Sequence, residues 1–320
     1  MRKKTMIAAL IALAAALAGT DAVAADIVRV GKAQGTAWTF LPVDIGTAQG
    51  FFAKQGLAVE SSDLGGDAKV QQALAAGSVD FGLGSGPGMA FSAKGGASIG
   101  VAAFAGPPRN ISAIVLADSP IKTVADLRGK LIAVSSVGSL SDWLAKQMAI
   151  QEGWGQNGIR TAPLGAVETS VAALEAHQVD AVVLSTEAGF ALEEHNQGRI
   201  LVGMDRYAPH FITHVVFAQR ATVAKNPALI ARFLKGFFAS IAYMTTHKAE
   251  TAALAEKVLH QDAKVVGEDA DTEGPMFILD GRFDPEAVAA LKKSFVDMGT
   301  LPSAPADDAM FTTQFVPVKY

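Results

Sequence analysis

The sequence contains no cysteine. That excludes disulfides, thiolate-bound metals and cysteine nucleophiles. A disulfide-free chain exported from the cell must rely on core burial, which a chain of 320 residues can supply. Positive charge is not in excess either, with a formal net charge of -4 and no polybasic stretch beyond the first residues. Nucleic-acid binding, which calls for a basic stripe, is therefore not expected. After residue 18 no segment reads as long and apolar enough to cross a membrane. Enzyme signatures are missing too: there is no G-x-S-x-G elbow and no Walker loop. His210 and His214 lie four residues apart but without an H-E-x-x-H pattern. They read as hydrogen-bonded histidines, so no metal site, cofactor or catalytic residue is predicted.

What is present begins with a targeting pattern. Arg2, Lys3 and Lys4 precede an apolar run over residues 6–18, and small residues follow at 22–25. This is the layout of a secretory signal peptide over residues 1–25, and it predicts a mature chain free in the periplasm. The rest is long enough for about two domains. Short apolar runs at 27–30, 57–60, 81–83, 99–104, 111–116 and 131–134 read as strands, with helical patterns between them. Such alternation predicts an α/β fold whose sheets are mostly parallel.

An internal echo sharpens the picture. Ala73, Leu74, Ala76, Val79 and Asp80 recur one hundred residues later as Ala173, Leu174, Ala176, Val179 and Asp180. Each copy reads as helix, tight turn and strand, ending at Ser85 and at Ser185. Two such units predict two similar lobes with the carboxyl ends of their strands facing a common cleft, where ligands of open α/β sheets bind. The expected lobes are 26–112 with 214–320, and 113–213. The chain would cross near 113–118 and return at 214–218, forming a hinge. Asn226 and Pro227 open a long amphipathic helix expected to pack on the first lobe, and residues 275–320 read as a helix and a weakly structured tail.

The local candidates for ligand contact all follow strands. Ser136, Gly138 and Ser139 lie in a Gly/Ser loop between a strand and a helix, where backbone N–H groups favour an anion. In the first lobe Thr36, Trp38, Gly66, Ser85 and Gly86 stand in comparable loops. Trp38 could stack on a planar ligand or cover a sheet end. Glu187, after the strand at 181–184, could offer a carboxylate to a ligand with N–H donors, or sit in a surface loop.

Several segments together resemble a known family. They are GFFAKQGLAVE at 50–60, ALAAGSVDFG at 73–82, VADLRGK at 124–130 with Ser136, Gly138 and Ser139, and Asn226-Pro227. The chain is similar to the periplasmic substrate-binding proteins of the nitrate/sulfonate/taurine and thiamine-pyrimidine (NMT1-like) type. The resemblance implies a two-lobed type II binding-protein fold and a small-molecule ligand, and the Gly/Ser loop at a helix terminus points to an organic anion. It also implies a monomer that delivers its ligand to the permease and ATPase subunits of an ABC importer. A pyrimidine-like thiamine precursor is the alternative ligand, and a sensing subunit for a membrane kinase the alternative role. Sulfonate and taurine members usually carry an aromatic residue followed by Asp-Pro where this chain has Ser185-Thr186-Glu187. The pyrimidine-synthase enzymes on this fold carry a cysteine cluster that this chain lacks.

Overall fold

The apolar runs form ten strands among the residues that the computed structural model describes, which are 25–320 apart from Thr36. The expected signal peptide, up to residue 24, and Thr36 lie outside the described residues. The strands are β1 (Asp26–Lys32), β2 (Leu57–Asp63), β3 (Phe81–Ser85), β4 (Ser98–Ala105) and β5 (Ile111–Leu116). They continue with β6 (Leu131–Val134), β7 (Arg160–Pro163), β8 (Ala181–Ser185), β9 (Gly198–Gly203) and β10 (His214–Gln219). Two five-stranded sheets result, ordered β2-β1-β3-β10-β4 and β7-β6-β8-β5-β9. In each, the first three strands are parallel and the fourth runs against its neighbours. The central strands are apolar almost throughout, as burial on both faces demands; in β10 only the last residue, Gln219, is not buried.

The longer helices are α1 (Pro42–Ala48), α2 (Asp67–Ala76), α3 (Leu140–Gln151), α4 (Val167–Glu175) and α5 (Thr186–Glu194). After them come α6 (Pro227–Thr246), α7 (Lys248–Leu259), α8 (Ala263–Glu273) and α9 (Pro285–Asp297). The echo is a structural repeat. Helix α2 ends at Gly77 (φ +70°) and leads into β3; α4 is followed by His177 (φ +54°) and then β8. One carboxylate oxygen of Asp80 accepts the Arg29 N–H at 2.8 Å, and one of Asp180 accepts the Leu131 N–H at 2.8 Å. Each aspartate thus ties the turn before its strand to the neighbouring parallel strand. The repeat reaches further back than residues 73 and 173, to Leu64-Gly65 and Leu164-Gly165. The Leu64 N–H donates to the Lys32 carbonyl and the Leu164 N–H to the Val134 carbonyl; Gly65 and Gly165 both have positive φ.

The chain changes sheet between β4 and β5, at residues 106–110, and returns at 208–213. The first crossing lies earlier than the sequence suggests, because all of β5 pairs with β8 and β9. The crossings are joined to each other: the Thr213 N–H donates to the Ala105 carbonyl at 2.9 Å, and its hydroxyl to the Gly106 carbonyl.

Helix α6 has the length and composition of a membrane span, which the sequence reading did not credit to any segment after residue 18. Half of it is buried within the protein. Asn226 caps it by accepting the Leu229 N–H at 3.2 Å, and Pro227 occupies the first turn. Its buried stripe of Ile230, Phe233, Leu234, Phe237, Phe238 and Ile241 packs into the core. The Phe233 ring stacks between Phe52 and Phe81, with centroids 5.3 and 4.0 Å away. A Cβ on Gly236 would come within 2.6 Å of the Phe52 ring, so this glycine is a packing requirement. The C-terminal tail is anchored, contrary to expectation. Met310 and Phe311 are buried, the Thr312 N–H donates to the Gly100 carbonyl, and Phe311 bridges to Gly100 on edge strand β4. Covering that edge removes a row of unpaired backbone groups.

Candidate functional site

The carboxyl ends of β1 and β3 in one sheet face those of β6 and β8 in the other, and a cleft of about 650 Å³ opens between them. Four helices begin at its walls, so that Gly66 and Asp67, Ser139 to Ser141, Ala166 and Val167, and Ser185 all line it. Helix N-termini present unpaired N–H groups and a partial positive charge. Ser139 caps α3: its hydroxyl accepts the Asp142 N–H at 3.3 Å and its carbonyl accepts the Trp143 N–H. The N–H groups of Leu140 and Ser141, in the same first turn, precede any intrahelical acceptor.

The Gly/Ser loop is braced internally. Gly138 has φ +74° and donates its N–H to the buried Asp142, which also holds Lys146 at 2.7 Å. The Ser141 hydroxyl accepts the Ser135 N–H at 3.0 Å. The hydroxyls of Ser135, Ser139 and Ser141 therefore stand together on one wall, which Ser136 also lines. Among the described residues that line the cleft, Lys94 is the one Lys or Arg; Phe40 and Phe91 supply apolar surface.

On the opposite wall the Ser85 N–H donates to Asp67 at 2.7 Å and the Ser85 hydroxyl donates to the other Asp67 oxygen. Burial raises the Asp67 pKa above its ordinary value, against the pull of these two donors. His214 is the cross-strand partner of Ser85, but its Nε2 lies 3.3 Å from the Asn110 amide. Burial depresses the His214 pKa to about 3, so the ring is neutral. Serine, aspartate and histidine thus meet here without the relay of a hydrolase, in which the serine hydroxyl bonds to the imidazole.

Of the residues singled out from the sequence, Gly66, Ser85, Ser136, Gly138 and Ser139 line the cleft. Gly86 does not: it supports the return crossing, donating its N–H to the Thr213 carbonyl at 2.8 Å. Trp38 is buried beside a separate cavity of about 240 Å³ lined also by Met244, Thr251 and Phe277. Glu187 points away from the cleft and accepts the Trp38 N–H at 3.0 Å. It meets Asp269 and Glu273 of α8, with one oxygen of each carboxylate within 4.8 Å of the others. Burial pushes Glu187 up to about 7; burial and repulsion from Glu187 push Asp269 up to about 8 and Glu273 well above its usual range. Residues that sequence reasoning missed include Asn110 and Thr213 from the crossings, and Met298 and Thr300 beyond α9. Nothing in the sequence marked them: Asn110 and Thr213 lie just outside the crossings expected at 113–118 and 214–218, and Met298 and Thr300 follow a helix that was not expected to reach the cleft.

Solved structures share this architecture. The periplasmic aliphatic sulphonate binding protein SsuA from Escherichia coli superposes with a TM-score of 0.77 at 21% identity, covering 90% of this chain and 92% of that one. The alkanesulfonate-binding protein SsuA from Xanthomonas axonopodis pv. citri, bound to MOPS, gives 0.74 at 19% identity, with coverages of 91% and 99%. The desulfurization enzyme DSZB gives 0.66 at 16% identity, with coverages of 91% and 97%, so enzymes occur on this fold as well. No curated protein matches the sequence. A model of the NMT1/THI5-like family matches residues 38–251, well over half of the chain, and spans the repeat, both crossings and the Gly/Ser loop. The chain belongs to the NMT1/THI5-like family.

Proposed function

We propose that this protein is the periplasmic solute-binding component of an ABC importer, that it captures a small organic anion in the cleft, and that it releases the ligand unchanged to a membrane permease. The observation that carries the reading is the convergence of four helix N-termini on one cleft. Such termini stabilise negative charge through N–H groups and dipole together. The serine hydroxyls beside α3 add donors, and Lys94 adds one positive charge at the wall. A sulfonate or carboxylate with a short apolar body suits this lining, since Phe40 and Phe91 offer apolar contact. The sulfonate-binding neighbours of the same fold support that choice.

Binding without turnover is supported by the cleft's chemistry. The chain has no cysteine, Ser85 is committed to Asp67, and neutral His214 is a poor base at physiological pH. The second ligand reading, a neutral pyrimidine-like heterocycle, rests on Asp67 and the two phenylalanines; Trp38 and Glu187 no longer contribute to it.

A thermal-unfolding screen against sulfonates, carboxylates, nitrate and pyrimidines tests the proposal. A true ligand at 100 times its Kd adds about 2.7 kcal/mol of stability. Stabilisation by anions, with the ligand recovered chemically intact, is the expected result. Stabilisation by neutral heterocycles alone would overturn the anion assignment, and a product recovered in place of the ligand would overturn the non-enzymatic one.

A further inference from the structure

Acidic residues on a protein surface stay hydrated and need no partner, but the trio formed by Glu187, Asp269 and Glu273 is different. Asp269 is 0% and Glu273 1% exposed, and none of their four carboxylate oxygens has a hydrogen-bond partner. Among the described residues, no ion pair involves any of the three. Buried charge of one sign without hydrogen bonds is strongly unfavourable unless something positive joins it. Burial raises the proton affinity of all three, and the nearby Glu187 charge raises it further at Asp269 and Glu273.

We propose that Glu187, Asp269 and Glu273 bind one divalent cation of calcium size. The donor set is oxygen only, which selects a hard cation over zinc or copper. One oxygen of each carboxylate lies within 4.8 Å of the other two, so small side-chain movements bring all three onto one ion. Calcium, with its longer bonds and irregular shell, demands less of that movement than magnesium, which needs near-octahedral geometry at about 2.0–2.1 Å. One Glu187 oxygen accepts the Trp38 N–H, leaving the other for the ion. The site lies outside the cleft but close to it, since Ser185 in the cleft wall is two residues from Glu187. A bound ion would join the start of α5 to α8 and steady the Trp38 turn against both.

The test uses protein stripped with EDTA, then titrated with calcium or magnesium at pH 7.5 by calorimetry, with thermal unfolding in parallel. Expected are one calcium per chain, binding roughly tenfold or more tighter than magnesium, and a higher unfolding midpoint with calcium. Glu273→Gln should abolish the calcium effect. Should that variant fail to fold, Glu187→Gln, at a partly exposed position, carries the same test. Absence of calcium binding together with a higher midpoint in Glu273→Gln would mean that protons hold the cluster, and the proposal falls. It falls equally if calcium binds but both glutamine variants bind it as the wild type does.

Discussion

A methyl group at Gly86 would overlap the Ile212 carbonyl, because the turn after β3 is pressed against the return crossing. Only a residue without a Cβ permits that contact. Gly86→Ala should therefore cost about 1–3 kcal/mol as an overpacked site, measured by urea unfolding. It should also alter ligand affinity, since the backbone it displaces carries Thr213 at the cleft floor. Unchanged stability would show that the crossing yields freely. His214, on the same floor, makes a prediction about pH. Its folded pKa of about 3 lies below the ordinary 6.5, so the unfolded chain binds the proton more readily. Its contribution is complete above pH 6.5 and is lost as pH falls towards 3, at up to about 1.4 kcal/mol per pH unit. Asp67 acts in the opposite sense: its raised pKa favours the folded state most at low pH, and that stability is lost as pH rises. Comparison with His214→Gln isolates the histidine. Wild type should lose stability more steeply than the variant between pH 6.5 and 4; parallel curves would rule the depressed pKa out.

Among elements, the helix–turn–strand unit is the one the molecule uses twice. The shared aspartate explains why its last residue recurs: Asp80 and Asp180 each accept an N–H from the neighbouring parallel strand where no ladder bond reaches. Asp180→Ala should cost about 1–2 kcal/mol in urea unfolding, and Asp180→Asn, which keeps an acceptor, distinctly less. Equal losses would mean that the bond contributes little. This unit was legible in the sequence because its signals are local: an apolar helix face, a turn residue and an apolar run. Its extension to Leu64-Gly65 and Leu164-Gly165 repeats residues as well as backbone hydrogen bonds, but an isolated identical pair does not stand out when the residues between it and the matched helix differ, as Asp67 against Val167 shows. The strand-end loops were legible as a site for the same local reason. The direction in which Trp38 and Glu187 point was not. It depends on α8, whose acidic sequence reads as a solvated face although Asp269 and Glu273 are buried. The tail was misread likewise, because its anchor is the distant edge of β4.

At the scale of the molecule, the proposed function makes the two repeated halves, joined by two short crossings, a clamp. Both crossings are stiff: the first contains Pro107 and Pro108, and the second is hydrogen-bonded to it through Thr213. Such a hinge favours rigid-body closure over local rearrangement. A ligand drives closure only by its better contacts in the closed state. The absence of cysteine makes the motion straightforward to observe. Lys69 and Thr169 hold equivalent exposed positions in α2 and α4, on opposite walls of the cleft. Lys69→Cys combined with Thr169→Cys accepts a fluorescent donor and acceptor at those two sites alone. Saturating ligand from the thermal screen should raise energy transfer between them, because closure brings the two helix N-termini together around the ligand. The same ligand should leave transfer unchanged in a control pair placed on one half, Ala53→Cys with Lys69→Cys. If ligand binds tightly and transfer across the cleft stays constant, the four helix termini capture their ligand in a preformed site and the crossings act as struts.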